Sequence, residues 1–332
     1  MLAILSGGAI AESFSLVLNL ILYALDRRHF RGIRPLKSAF SPRVADIAFP
    51  VAVSAYARSG LLAIEHILIP RGLLSFGTGS SQALSAYGAL QSMALPVVLY
   101  PAAITTAFAG LLIPEVTAQQ STDNRVEIRY IARRVYQLTL LFAIGTSAVM
   151  LCFSASLGEA LYHNVEVGNF IRLLAPLIPV MYLDTATDAL LKGLGEQVYS
   201  MRVNILDALV SVICVALLVP RMGIAGYLVT IYITEILNAA LSITRLLRIS
   251  GFSPQIGKLL VRPLISAIGA CYLIHLLLRL APLSPPLALQ ILAAILFYAL
   301  LLVLTGSFTP SDRAWLRSFF GIGRKACACK KK

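Results

Sequence analysis

Charge is scarce in this chain, and acid is scarcer than base. Of its 332 residues, 13% are charged and 58% are hydrophobic, with 28 Lys and Arg against 15 Asp and Glu. Soluble domains carry roughly twice that charged fraction, which excludes an ordinary water-soluble domain. Cysteines number five. Cys152, Cys214 and Cys271 fall within apolar runs and read as small core residues. Cys327 and Cys329 sit in a basic tail with no His to complete a zinc site, so neither a metal centre nor a disulfide framework is expected. The last residue is Lys332, which excludes a prenylation box. The chain has no Gly-x-x-x-x-Gly-Lys-Ser/Thr loop for nucleotide phosphates, no His-Glu-x-x-His and no Gly-x-Ser-x-Gly. No cofactor and no enzymatic activity are therefore expected. Strict alternation is also missing from the apolar runs, which argues against a transmembrane barrel.

What the chain does have is apolar runs of about 18 to 25 residues, each long enough to cross hydrocarbon as a helix. Mean hydropathy is +0.82. Nine spans are expected, at roughly 3–24, 47–69, 86–113, 135–154, 169–190, 203–220, 225–244, 263–280 and 287–305. Pro70, Pro114 and Pro220 each follow an Ile or Val that closes a run, and are read as end markers. The fold class is thus an all-α membrane protein.

The net charge of +13 does not point to nucleic acid, because the basic residues occupy alternate gaps between spans. The gap 25–46 holds Arg27, Arg28, Arg31, Arg34, Lys37 and Arg43, and the gap 114–134 holds Arg125, Arg129, Arg133 and Arg134. Lys192, Arg202, Arg245, Arg248, Lys258 and Arg262 follow in the gaps 191–202 and 245–262, and the tail from 307 is basic. Basic loops face the cytoplasm, so these gaps and the C-terminus are assigned inside, against anionic headgroups. An odd number of spans then places Met1 outside without a basic leader. The expectation is a chain lacking an N-terminal part, or a shortened relative of a longer protein.

The stretch from Pro50 to Pro114 carries the chemistry. Arg58, Glu65 and His66 lie where hydrocarbon is expected, and spacings of seven and eight put Arg58 on one helix face with both. A charge at mid-membrane costs roughly 2.5–3.5 kcal/mol or more, so each is a functional-site candidate. Two readings of Arg58 stand: a place in a transport path, or an internal ion pair with Glu65. Glu12, about ten residues into the first span, is a weaker case of the same kind. A second polar stripe runs through Asp184 and Asp188, through Asn204, Asp207 and Ser211, and through Glu235, Asn238 and Ser242. Its plainer reading is interhelical adhesion. Asp184 and Asp188 lie close enough to the inner end of their span for a headgroup-level role. Pro96 and Pro101 share one span, and Pro176 and Pro179 another, which makes these four the candidate hinges.

Two blocks of the sequence resemble a known family. The first runs through Ala57-Arg58-Ser59-Gly60-Leu61, Glu65-His66-Ile67-Leu68-Ile69-Pro70-Arg71-Gly72-Leu73, Ala86-Tyr87-Gly88, Met93-Ala94-Leu95-Pro96 and Leu112-Ile113-Pro114-Glu115. The second is Leu190-Leu191-Lys192-Gly193-Leu194-Gly195-Glu196-Gln197 and Pro220-Arg221-Met222-Gly223-Ile224-Ala225-Gly226-Tyr227. They resemble stage V sporulation protein B-like oligosaccharide flippases of the multidrug/oligosaccharidyl-lipid/polysaccharide exporter superfamily, over nearly the whole chain. The resemblance implies two six-helix lobes followed by an extra helix pair. On that template residues 1–45 are the last helix of the first lobe plus a basic cytoplasmic linker. Residues 46–245 are a six-helix second lobe, 246–306 the extra pair and 307–332 a basic cytoplasmic tail. It implies alternating access in a bacterial cell membrane, with a polyprenyl-pyrophosphate-linked sugar as cargo, as in peptidoglycan precursors. Arg58 would meet the pyrophosphate and Glu65 would hold Arg58 in the empty cavity. Partners would be this lipid-linked sugar, membrane lipids, and a chain supplying the missing first-lobe helices. A cation-coupled multidrug exporter and an inactive truncated membrane protein are the alternatives.

The assigned orientation has a direct check. A green fluorescent protein fused after Lys332 should fluoresce, and an alkaline phosphatase at the same place should be inactive; the opposite pattern reverses every side given above.

Overall fold

In hydrocarbon a backbone N–H or C=O finds no water, so each apolar run forms a helix that satisfies its own groups. The computed structural model bears this out: it describes residues 13–25, 40–77, 79–251, 257–280 and 285–307, and among them every regular element is helical. The chain divides into two units by contact, Met1–Phe49 and Pro50–Lys332. In the first unit lies the apolar helix α1, Ser13–Leu25. The long helix α2, Phe40–Ser75, begins there and continues into the second unit. The order after it is α3 (Ser80–Gly88), a π-helical segment (Ala89–Ala94), α4 (Leu95–Leu99), α5 (Ala102–Ser121), α6 (Arg125–Tyr162), α7 (Val165–Leu174), a 3-10 turn (Ala175–Leu177), α8 (Ile178–Gly193), α9 (Gln197–Met222), α10 (Ile224–Ser250), a second π segment (Gly257–Val261), α11 (Arg262–Leu280) and α12 (Leu287–Leu304).

Among the described residues seven helices are long and apolar enough to cross a membrane, and the bent pair Ser81–Leu99 and Ala102–Ser121 raises this to eight. These eight match the expected spans from 47 onward. The first expected span, 3–24, lies partly outside the described residues, as do Glu12 and the tail from 308.

Burial is arranged for lipid. Leu209, Ile213 and Leu217 on α9, and Leu289, Leu292, Leu296 and Leu300 on α12, are exposed at helical spacing, whereas Ser147, Ser154, Thr187, Thr230, Thr234 and Ser242 are buried. Small polar residues inside let helices approach closely where lipid offers no hydrophobic drive to associate. The tightest approach joins α6 to α7. A Cβ on Gly158 would stand 2.5 Å from the Gly168 nitrogen, and one on Gly168 would stand 2.9 Å from the Ser154 carbonyl.

Two expectations need correction. Pro70, Pro114 and Pro220 do not end their helices: each lies inside one, and α2, α5 and α9 run on to Ser75, Ser121 and Met222. A proline removes one N–H bond, but leaving the helix within the membrane would strand several more. Cys152 and Cys271 are also more than small core residues. They form a disulfide between α6 and α11, with Cα atoms 6.4 Å apart and 119 residues between them in sequence. Spacing gave no hint of it, because only the packing of α11 on α6 brings the two together. The same face is joined by Tyr298 of α12, whose hydroxyl donates to the Leu141 carbonyl at 2.8 Å and whose ring occupies the space left by Gly145.

Helix breaks are closed by neighbours. The α4–α5 junction at Tyr100–Pro101 bends the chain by 54°. There the buried Tyr182 hydroxyl of α8 donates to the Val98 carbonyl at 2.7 Å. Pro179 has no N–H for the Ala175 carbonyl four residues back, and Ser147 of α6 donates to that carbonyl at 2.7 Å. Pro96 is the second residue of α4, where the first turn of a helix needs no N–H from it, just after the π segment Ala89–Ala94.

Two measurements test this packing. A bulky side chain cannot enter the α6–α7 contact, so Gly158→Val should cost about 1–3 kcal/mol and lower the thermal-shift midpoint. The unfolded full chain should take two fewer maleimide-polyethylene glycol tags without reductant than with it, and Cys152→Ser should abolish that difference.

Candidate functional site

The polar residues of α2 and of the second stripe converge. Arg58 of α2 is exposed, while Asp184 of α8, Asp207 of α9 and Glu235 of α10 are half-buried. The Arg58 guanidinium lies within electrostatic reach of all three carboxylates. Asp184 and Glu235 feel one another, Asp207 lies within reach of Glu235 and Asp184, and the Ser242 side chain lies near Asp184. Asp184 Oδ1 and Asp207 Oδ1 are buried without a hydrogen-bond partner. Orphaned carboxylate oxygens are costly in a low dielectric and mark places that a ligand, an ion or a proton completes. The stripes on three helices thus form one site, which periodicity on each helix alone does not show. Glu65 is buried at 8% exposure and feels Asp207. Among the described residues Arg58 and Glu65 form no ion pair, and the positive charge faces the α8–α10 carboxylates instead.

Asp188 behaves differently from Asp184. One turn nearer the C-terminal end of α8, it takes Lys192 as an ion pair at 2.6 Å and a hydrogen bond from Ser200 of α9. It fastens the α8–α9 corner. Beside it Arg245 makes a two-pronged pair with Glu196, at 2.8 and 2.9 Å, and lies 5.0 Å over the Tyr199 ring. This bidentate arrangement holds the C-terminal end of α10 to the start of α9.

Above the carboxylates, toward the other end of α2, a polar chain continues. His66 Nδ1 is hydrogen-bonded to the Tyr87 hydroxyl at 2.8 Å. The Tyr87 and Tyr227 rings lie 5.7 Å apart, and the Tyr227 hydroxyl donates to Gln91 Oε1 at 2.9 Å. Tyr87, Gln91 and Tyr227 were not among the residues singled out by charge. Their signal was present for two of them: Tyr87 and Tyr227 stand in the family-like blocks Ala86-Tyr87-Gly88 and Gly226-Tyr227. Gln91 carries no such mark, and only the π segment turns it toward Tyr227. Of the expected hinges, Pro101 sits at the 54° bend, Pro96 at the end of the π segment, Pro176 in the 3-10 turn and Pro179 at the start of α8. The described residues hold no cluster of three or more metal-ligating side chains.

Three comparisons bear on this arrangement. The MatE family profile matches residues 73–218. Over 230 residues the chain is 23% identical to stage V sporulation protein B of Bacillus subtilis (strain 168), covering 68% of this chain and 44% of that protein. Over 134 residues it is 25% identical to sporulation protein YkvU of the same strain, covering 40% and 30%. Its fold matches that of the lipid II flippase MurJ in an inward closed conformation, with a TM-score of 0.60 and 12% identity over 91% of this chain and 60% of that one. The aligned part therefore spans less than half of the sporulation proteins, and the likeness to the first is narrower than the near-complete coverage expected from the sequence. The resemblance to stage V sporulation protein B is borne out: this is a multi-pass membrane chain that is similar to the MatE family over residues 73–218 and shares its fold with a lipid II flippase.

Proposed function

We propose that the chain works in a flippase that moves a lipid-linked oligosaccharide or peptidoglycan precursor across a bacterial cell membrane by alternating access, serving spore cortex or cell-wall formation. The observation that carries this reading is Arg58. It is an exposed guanidinium about eleven residues into its membrane run, with no ion pair among the described residues. A guanidinium fits two phosphate oxygens at once, and the low dielectric strengthens that contact. Arg58 would take the pyrophosphate, and Asp184, Asp207 and Glu235 would hold the guanidinium between cargoes. Glu65, His66 and Glu12 would complete the path. Residues 46–245 would act as the second lobe, with 246–306 as the helix pair beside it. Pro96, Pro101, Pro176 and Pro179 would be the points at which helices flex. A first lobe, in the same or another chain, would form the opposite wall of the cavity. The basic gaps and tail would face the cytoplasm and its anionic headgroups.

One observation favours a second reading. Three carboxylates surround one guanidinium, an acidic surplus suited to a cation. A cation-coupled multidrug exporter would use it directly, and a sodium or proton dependence of small-cation export would distinguish the two.

Proteoliposomes loaded with a fluorescent polyprenyl-pyrophosphate disaccharide test the first reading. Arg58→Ala should slow flipping at least tenfold and Arg58→Lys less, because an ammonium keeps the charge but loses the fork. Asp188→Asn should leave the rate within about twofold while lowering thermal stability by about 1–2 kcal/mol, since that group fastens a helix corner. Normal flipping by Arg58→Ala ends the pyrophosphate assignment.

A further inference from the structure

A cavity of about 730 Å³ opens at the end of the bundle that holds the α9–α10 corner. Its walls come from the last turn of α2, from α3, from the start of α7 and from the α9–α10 corner. The lining has two characters. Gln82, Ser85, Glu166 and Asn169 bring amide, hydroxyl and carboxylate groups, and Phe76 and Phe170 bring aromatic faces. There is one carboxylate and no Lys, Arg or His in this lining, so it is suited neither to a phosphate nor to a strongly acidic ligand.

The aromatic part is positioned by the fold. Gly223 turns the chain from α9 to α10 at φ +60°, and a Cβ there would stand 2.9 Å from the Phe76 ring. The ring therefore rests on bare backbone at a position that only glycine allows without strain. Phe170 is buried, held in the core cluster, while Gln82, Glu166 and Asn169 are exposed and free to turn toward a ligand. Below, Ser85 and Ala86 lead directly to Tyr87, and Ala225 leads to Tyr227. The polar chain through His66, Tyr87, Tyr227 and Gln91 thus runs from this cavity toward Glu65, Asp207 and Arg58.

We propose that this cavity is a second binding site, and that it takes an uncharged sugar unit. Vicinal hydroxyls each donate and accept, which paired amide, carboxylate and hydroxyl groups match. The C–H face of a pyranose is apolar and suits a phenyl ring. The volume falls within the range of small-molecule sites, about 300–1,000 Å³. The proposal rests on the flippase reading and extends it: the headgroup sugar, once past Arg58, is received here on the far side of the membrane.

The test uses the full chain purified in an amine-oxide detergent, because sugar-headed detergents would compete. Saturation-transfer NMR with chitobiose as the probe should show contact with the protein. Phe76→Ala and Gln82→Ala should each weaken binding at least tenfold, and Gly223→Ala should do so by displacing the Phe76 ring. Asp188→Asn, at the distant helix corner, should bind chitobiose like the parent. No transfer in the parent chain, or transfer that survives both Phe76→Ala and Gln82→Ala, overturns the proposal. Flipping assayed on the same preparations separates the two ideas. Sugar binding by a parent chain that flips nothing, alone or with a chain supplying the first lobe, refutes the transport reading alone, and flipping without sugar binding refutes this site alone.

Discussion

Hydrocarbon offers no substitute for a backbone hydrogen bond, and the structure depends on that constraint. It explains why α2, α5 and α9 run through internal prolines. It also explains why three carbonyls beside helix breaks take a donor from another helix. The carbonyl of Val98 has Tyr182, that of Ala175 has Ser147, and that of Leu173 has the Tyr232 hydroxyl at 2.5 Å. Each answer comes from a different helix, so the breaks in the α3–α5 and α7–α8 segments are also joints between helices.

The same low dielectric governs the side chains. Asp184, Asp207 and Glu235 are dispersed over 52 residues of sequence and three helices, yet they share one guanidinium. Gathered together they also repel one another, and the Arg58 guanidinium is the charge that offsets this cost. Polar residues nearer the helix ends follow another rule. Asp188 with Lys192, and Glu196 with Arg245, are paired at close range and fasten corners. Position along the helix thus separates groups left open to a ligand from groups committed to structure.

Much of this was legible before any coordinates. Run length and the absence of alternation set the number and type of elements from 47 onward, because only a helix of that length spans hydrocarbon with its backbone satisfied. The periodicity of three and four found each polar stripe, since the 3.6-residue turn projects directly into sequence. Three things were decided only by packing. The stripes of α8, α9 and α10 face Arg58 because the helices are oriented so, and no pattern within one helix encodes the rotation of its neighbour. Cys152 pairs with Cys271 because α11 lies along α6, a contact across 119 residues. Gln91 reaches Tyr227 because a π segment shifts its side chain by a fraction of a turn. Sequence is read along one chain, and each of these features is a relation between two.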